Sequence, residues 1–286
     1  MIANGAAMNF VVLTDTHFVA AGQMLYGLDP AARLAAAIRA INRDHGDIAC
    51  TIVMGDLAHW GERAAYEHLR EVLKELRALP ILMLGNHDRR LAFRSAFSAV
   101  ADDGRGFIQS VHRFEAATIV TLDTLDERAV GHEGVLCDDR LAFLAGALES
   151  ASTDRPLLLF QHHPPFDTGL PAMDRIKLRN GEAQWAVIER TRRPDYLFTG
   201  HLHRPIAGVW RGIPFHVQRG INHQVAFDLV TADHIPGTHE APDYSLVSVT
   251  GREIVIQQCS FLYDGPVYSL EDSTAQLARS VSELRR

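Results

Sequence analysis

The stretch NFVVLTDTH at residues 9–17 decides the fold. It begins as a mostly apolar run of strand length and stops abruptly at Asp15, Thr16 and His17. Four later apolar runs also stop at short polar clusters: GD at 55–56, GNHD at 85–88, HH at 162–163 and GHLH at 200–203. Because neighbouring strands of a sheet can end at one edge, we expect these side chains to converge on one point.

Strands and helices alternate over the first two-thirds of the chain. Strands are predicted at 9–14, 49–54, 80–84, 157–161 and 196–199, and helices at 31–42, 62–78, 91–100, 138–150 and 182–191. Asp29 and Pro30 are typical of an N-cap followed by the first helical position. A hairpin is predicted from 107–114 and 117–122, and the β-rich end supplies strands at 208–210, 214–218, 226–230, 245–250 and 254–261.

This order predicts an α/β fold, a four-layer αββα sandwich in which helices flank two mixed β-sheets. We expect residues 1–235 to form the core and 236–286 to form a β-rich C-terminal extension and tail. The last segment, 270–286, is amphipathic and is predicted to be a helix or a tail. No repeat or low-complexity linker marks the boundary, so the extension could also belong to the core.

Composition narrows the class of protein. The chain has 286 residues, of which 47% are apolar, enough to bury a full core. A net charge of -7 argues against a non-specific binder of nucleic-acid polymers. The three cysteines lack paired spacing, which predicts reduced thiols and a cytoplasmic location. Neither a signal peptide nor a membrane span is expected.

Each polar cluster has an ordinary explanation when it is considered alone. An aspartate after a strand is usually a turn or helix cap, and a lone His-x-His is more often surface or core than a metal site. Five clusters of Asp, Asn and His, each after an apolar strand, rarely arise by chance. Together they favour a metal site.

The ordered motifs D-x-H, GD, GNHD, HH and GHxH resemble those of the calcineurin-like metallophosphoesterases. They extend from Asp15 to His203, about two-thirds of the chain. The stretch LDTL at 122–125, Gly134 and the helix at 138–148 are similar to the bacterial class III branch, which contains cyclic-nucleotide and glycerophosphodiester phosphodiesterases.

The resemblance implies a dinuclear metal site at the C-terminal ends of the strands. One ion would be bound by Asp15, His17, Asp56 and His203, and the other by Asp56, Asn86, His162 and His201, with Asp56 bridging. Oxygen and imidazole ligands without thiolates suit two divalent or mixed-valence ions of Fe, Mn, Co, Ni or Zn better than Mg or Ca. Such a site hydrolyses phosphate esters with a metal-activated hydroxide.

Further roles follow from the neighbours of these ligands. His87 is expected to donate a proton to the leaving group, with a purely hydrogen-bonding role as the alternative. Asp88 is expected to assist catalysis by orienting His87 or His17. His163 points away from His162 on the strand, so it is expected to be structural.

The substrate is less well defined by the sequence. We expect a small phosphodiester, either a cyclic nucleotide or a glycerophosphodiester, bound by Asn222 or His223 and by a rim at Met24, Leu25 and Tyr26. Hydrolysis of phosphomonoesters or phosphonate esters is the alternative. A nuclease or a non-catalytic metal-binding module fits less well. A homodimer or higher oligomer is possible, and no membrane or nucleic-acid partner is expected.

Overall fold

The computed structural model describes residues 6–267. Their elements are, in chain order, β1 (Ala7–Leu13), α1 (Pro30–Asp44), β2 (Thr51–Met54), α2 (Arg63–Leu73), β3 (Pro80–Met83), α3 (Arg90–Ala96), β4 (Ser110–Arg113), β5 (Thr118–Leu122), α4 (Asp138–Ser150), β6 (Leu157–Gln161), α5 (Pro171–Asp174), α6 (Gly181–Arg190), β7 (Tyr196–Thr199), β8 (Ile206–Trp210), β9 (Ile213–Val217), β10 (Gln224–Val225), β11 (Gly237–Thr238), β12 (Tyr244–Thr250) and β13 (Glu253–Cys259).

Two mixed sheets form the centre of the molecule. The first has the strand order β13-β12-β1-β2-β3, in which β1, β2 and β3 are parallel and β12 runs antiparallel to β1. The second has the order β4-β5-β6-β7-β9-β8, with β5, β6, β7 and β9 parallel and an antiparallel strand at each edge. The C-terminal ends of β1, β2, β3, β6 and β7 carry the five polar clusters.

The sheets face each other across a buried apolar layer. Phe10 of β1 meets Phe160 of β6 edge-to-face at 6.1 Å, and Phe160 stacks on Phe198 of β7 at 4.4 Å. The outer face of the first sheet packs on α1, α2 and α3, and that of the second packs on α4 and α6. Alternate residues of each strand therefore pack into two different layers, one between the sheets and one between a sheet and its helices. The predicted αββα sandwich is confirmed.

Local signals account for several element boundaries. The side chain of Asp29 accepts hydrogen bonds from the amides of Ala31 and Ala32, and Pro30 begins α1 as predicted. The predicted strand at 226–230 is wrong, because Leu229 and Val230 are exposed and the segment is irregular. The prediction for 270–286 lies outside the described residues.

The two C-terminal strands, β12 and β13, are part of the first sheet. β12 pairs with β1 from Ala7 opposite Thr250 to Val12 opposite Ser245. The division of the chain at residue 235 stays a prediction. Among residues 6–267, no helix has the length and apolar character needed to cross a membrane.

Candidate metal centre

The polar clusters meet where the parallel strands of the two sheets end. Several of their residues adopt the left-handed backbone conformation, which costs about 1 to 3 kcal/mol for a residue other than glycine. They are Asp15, His17, Asp56, His201 and His203, with φ between 45° and 68°. Such a concentration of strained residues indicates a functional site.

Four of these side chains present ligand atoms within 4.8 Å of one another: Asp15, His17, Asp56 and His203. Nε2 of His17 lies 3.6 Å from Oδ2 of Asp56 and 3.1 Å from Nε2 of His203. All four are almost completely buried. Buried carboxylates and imidazoles in such contact are stable only with shared protons or a cation.

The hydrogen bonds of His203 test whether the site fits a metal. Its Nδ1 lies 2.7 Å from the carbonyl oxygen of His223, which can only accept, so Nδ1 carries a proton. Nε2 then faces Oδ1 of Asp15 at 3.2 Å, and that oxygen has no hydrogen-bond partner. A positive charge is required between them, as a proton or as a metal ion.

His162 shows the same arrangement. Its Nδ1 donates to the carbonyl of Met54 at 2.7 Å, and its Nε2 has no hydrogen-bond partner although Oδ2 of Asp56 is 3.4 Å away. Burial alone would lower the pKa of His162, but the carboxylates of Asp56 and Asp15 outweigh it and raise the pKa to about 9. The local field therefore favours a positive charge at this point.

His201 and His17 are neutral in this environment. Burial and neighbouring imidazoles lower the pKa of His201 well below its ordinary value, and burial does the same for His17. Nε2 of His201 donates to the carbonyl of Ile176 at 3.0 Å, so Nδ1 is the nitrogen without a proton, and the residue clusters with His162 and His163 within 4.8 Å. Neutral imidazoles that donate their other N–H to a carbonyl are typical metal ligands.

Asn86 completes the set of predicted ligands. Its Nδ2 lies 2.9 Å from Nδ1 of His132, so its amide oxygen points elsewhere. That Oδ1 is buried and has no hydrogen-bond partner. Oδ1 of Asn86, Oδ1 of Asp15 and Nε2 of His162 are thus three buried atoms of the cluster that can bind a metal ion and have no hydrogen-bond partner. The residues present therefore fit a metal centre.

Gly85 allows the strands to approach each other this closely. A Cβ atom at this position would overlap Oδ1 of Asp56 and lie 2.7 Å from Nε2 of His162. The glycine before Asn86 is thus required by the space between two predicted ligands.

His87 lies in a stack of three imidazoles. Its ring lies 4.8 Å from that of His59 on one side and 4.8 Å from that of His132 on the other, each at 21°. Its Nδ1 donates to the carbonyl of His59 at 2.7 Å, which leaves Nε2 facing Oδ2 of Asp56 at 4.0 Å. The predicted proton donor is thus held in one orientation beside the cluster.

His59 and His132 were missed by reasoning from sequence. His59 follows Asp56 by three residues and its Nδ1 lies 3.1 Å from Nδ1 of His17. His132 comes from the loop after β5, where no strand end marks it. By contrast, both ring nitrogens of His163 are engaged, with Thr124 and the carbonyl of His132, in accordance with a structural role.

Asp88 has different partners from those expected. Its carboxylate does not reach the rings of His87 or His17. It instead accepts hydrogen bonds from the amides of Leu57, Ala58 and Gly85 and from the hydroxyl of Tyr66. Burial, with the nearby carboxylate of Asp56, raises the pKa of Asp88 to about 6. Asp88 therefore holds the backbone of two strand ends, and its expected contribution to catalysis stays a prediction.

The cluster opens into a cavity of about 460 Å³. His223 and Tyr26 line it, as does His239 from the segment after β11. Asn222 is completely buried and lies outside the cavity wall, so its position does not support the predicted substrate contact. Of the two predicted substrate-binding residues, His223 alone is placed to meet a ligand.

A family model for the calcineurin-like phosphoesterases matches residues 8–205. The chain belongs to the calcineurin-like phosphoesterase family. This family uses a dinuclear metal site, and the described residues supply candidate clusters for one. The family expected from the motifs is thereby confirmed.

Curated relatives place the chain in the bacterial class III branch. A Rhodopseudomonas palustris protein named "Probable cyclic nucleotide phosphodiesterase" is 68% identical over 268 residues, 94% of this chain and 98% of the relative. The glycerophosphodiester phosphodiesterase GpdQ of Enterobacter lignolyticus is 30% identical over 75% of this chain and 78% of its own. The cyclic adenosine monophosphate phosphodiesterase CpdA of Escherichia coli is 30% identical over 74% and 75%.

Solved structures show the same fold. A dimetal phosphatase from Danio rerio superposes with a TM-score of 0.63 at 16% identity, covering 88% of this chain and 98% of the other. A purple acid phosphatase from yellow lupin gives 0.71 at 14% identity, covering 93% and 53%.

Proposed function

We propose that this chain hydrolyses small phosphodiesters, with a cyclic nucleotide as the first candidate and a glycerophosphodiester as the second. The observation that carries the proposal is the set of buried atoms without hydrogen-bond partners on Asp15, Asn86 and His162. Asn86 lines the cavity, as do the predicted ligands Asp56, His201 and His203. The 68% identity to a protein named as a cyclic nucleotide phosphodiesterase supports the choice of substrate.

The proposed ligands fall into two sets that share Asp56. Asp15, His17 and His203 join it on one side, and Asn86, His162 and His201 on the other. The first set corresponds to the four residues whose ligand atoms lie within 4.8 Å. The mixture of oxygen and imidazole donors favours Fe, Mn, Co or Zn.

When bound, such ions supply positive charge that stabilises phosphoryl oxygens and lowers the pKa of water. The residues of the chain provide the rest. The carbonyls of Met54, Ile176 and His223 fix the imidazoles that face the site. His59 and His132 hold the ring of His87 between them, so that its Nε2 faces the cavity and can protonate the departing alkoxide.

A panel of substrates tests the proposal. The manganese-loaded protein is assayed with cyclic AMP, glycerophosphocholine, a dinucleotide and a phosphomonoester at equal concentrations. We expect kcat/KM to be highest for one of the two small diesters. A preference for the phosphomonoester by more than tenfold would refute the diesterase assignment.

Other properties stay predictions. A cytoplasmic location rests on the unpaired cysteines Cys50, Cys137 and Cys259. Assembly into a homodimer or higher oligomer is tested by the mass of the protein in solution. The negative charge predicts that nucleic-acid polymers are not substrates, and the dinucleotide in the panel is the first test of this prediction.

A further inference from the structure

A tight turn on the cavity rim holds a tyrosine in a strained conformation. Leu25 and Leu28 exchange backbone hydrogen bonds of 2.8 and 2.9 Å, and the two residues between them, Tyr26 and Gly27, have φ of 52° and 79°. Positive φ at both central positions favours Asn, Asp or Gly at the first of them. A tyrosine in this strained position points to a use for its side chain.

The ring of Tyr26 contacts two imidazoles, and much of the residue is exposed. It meets His223 at 4.8 Å and His59 at 5.6 Å, both nearly perpendicular. These imidazoles belong to the metal centre, since each contacts His17. Even so, 60% of Tyr26 is exposed, and the residue lines the cavity. The aromatic ring of Tyr26 therefore lies at the cavity, separated from the proposed ligand His17 by a single imidazole ring.

The rest of the cavity wall suits a flat, largely apolar group. Met173, Ile176, Val225 and Ile235 supply apolar surface. The β10–β11 hairpin covers this side and is tied to the turn by a hydrogen bond of 2.9 Å between Nε2 of His239 and the carbonyl of Tyr26. Tyr26 is thus held by the imidazole contacts of its ring and by the hydrogen bond to its backbone carbonyl.

We propose that Tyr26 is the stacking platform for the nucleobase of a cyclic nucleotide. This inference rests on the proposed function and specifies which part of the substrate the cavity selects. Every nucleobase has a flat face that stacks on an aromatic ring. A glycerol group has no such face, whereas a choline group binds aromatic rings through its quaternary ammonium. Tyr26 therefore separates a cyclic nucleotide from glycerophosphoglycerol, which offers the ring neither a base nor a cation.

The test compares two substrates across matched variants of the manganese-loaded protein. KM and kcat for cyclic AMP and for glycerophosphoglycerol are measured for wild type, Tyr26→Phe, Tyr26→Ala and Tyr263→Ala. Tyr263 is about as exposed as Tyr26 but does not line the cavity, so its variant is the control. Binding of AMP is measured by calorimetry on the same samples.

We expect Tyr26→Ala to raise KM for cyclic AMP by about 5- to 150-fold, the range for loss of one base–aromatic stack. Tyr26→Phe and Tyr263→Ala should stay within about threefold, since both keep the aromatic ring at position 26. An equal rise for both substrates, or none for cyclic AMP, would overturn the platform. If wild type hydrolyses neither diester, the proposed function fails, and AMP binding that does not depend on Tyr26 would overturn the platform separately.

Discussion

Nε2 of His162 and Oδ2 of Asp56 lie 3.4 Å apart at the ends of β6 and β2, and Nε2 has no hydrogen-bond partner. Each residue comes from a different sheet, so the contact closes the gap between the two halves of the sandwich. Repulsion between a carboxylate and an imidazole lone pair is relieved only by positive charge. The fold therefore builds a site for a cation where the sheets meet.

His132 is expected to position Asn86. Removal of its ring in His132→Ala takes away the acceptor for Nδ2 of Asn86, so the amide can turn its oxygen out of the site. We expect the manganese affinity of the proposed site that includes Asn86 to fall by about 10- to 100-fold. His132→Asn retains an acceptor and should restore most of the affinity. Calorimetric titration measures this, and equal losses in both variants would argue for a merely structural role.

His87→Ala is expected to discriminate between leaving groups. A general acid contributes about 10²- to 10⁴-fold when the leaving group is an alkoxide. The rate on cyclic AMP should therefore fall by about 100-fold or more, and the rate on an activated aryl diester by less than about tenfold. His234→Ala, at an exposed position, is the control. Similar losses on both substrates would exclude the proton-donor role.

Gly85→Ala is expected to damage the site and to lower the stability of the chain, because the added Cβ would lie 2.5 Å from the backbone nitrogen of Asp56. The added Cβ would overlap Asp56 and displace His162, so metal affinity and activity should both fall by at least about tenfold. Gly46→Ala is the matched control, because nothing lies within 4 Å of a Cβ there. Circular dichroism and metal titration distinguish the outcomes, and wild-type affinity in Gly85→Ala would contradict the described approach of the strands.

Asp88→Ala is expected to lower stability rather than to alter the chemical step directly. It removes the acceptor of three backbone amides and of the Tyr66 hydroxyl, so we expect a loss of about 3 kcal/mol or more in the free energy of unfolding. Tyr66→Phe removes one of these bonds and also the bond from the Arg89 amide to the hydroxyl, so it should cost about 2 kcal/mol. Urea unfolding measures both. Unchanged stability with a lost rate would instead place Asp88 in the chemistry.

The sequence predicted most of the fold because the buried strands are long apolar runs with clear ends. β6 and β7 follow the predicted bounds, since both of their faces are buried and nothing polar interrupts them. The strand predicted at 226–230 was wrong for a physical reason. Its apolar side chains are exposed beside the cavity, and local composition does not reveal which face a residue will meet.

The residues predicted as metal ligands could be named from the sequence because they follow strand ends in a recognisable order. His59 and His132 were missed because single histidines in loops carry no periodic signal. Their importance comes from contacts with His17, Asn86 and His87, which depend on how the loops fold over the sheets. Asn222 was predicted as a substrate contact because its side chain can form hydrogen bonds and follows the strand predicted at 214–218, whereas the fold buries it.

A metal titration of chelator-treated protein tests the central claim most directly. Manganese is added in equivalents per chain while hydrolysis of an aryl phosphodiester is followed, with Asp56→Asn as the variant and Asp233→Asn, an exposed aspartate, as the control. Wild type and control should gain activity up to two equivalents, and Asp56→Asn should lose at least about 100-fold because both ions depend on its carboxylate. Full activity in verified metal-free protein, or saturation at one equivalent, would contradict the two-metal account.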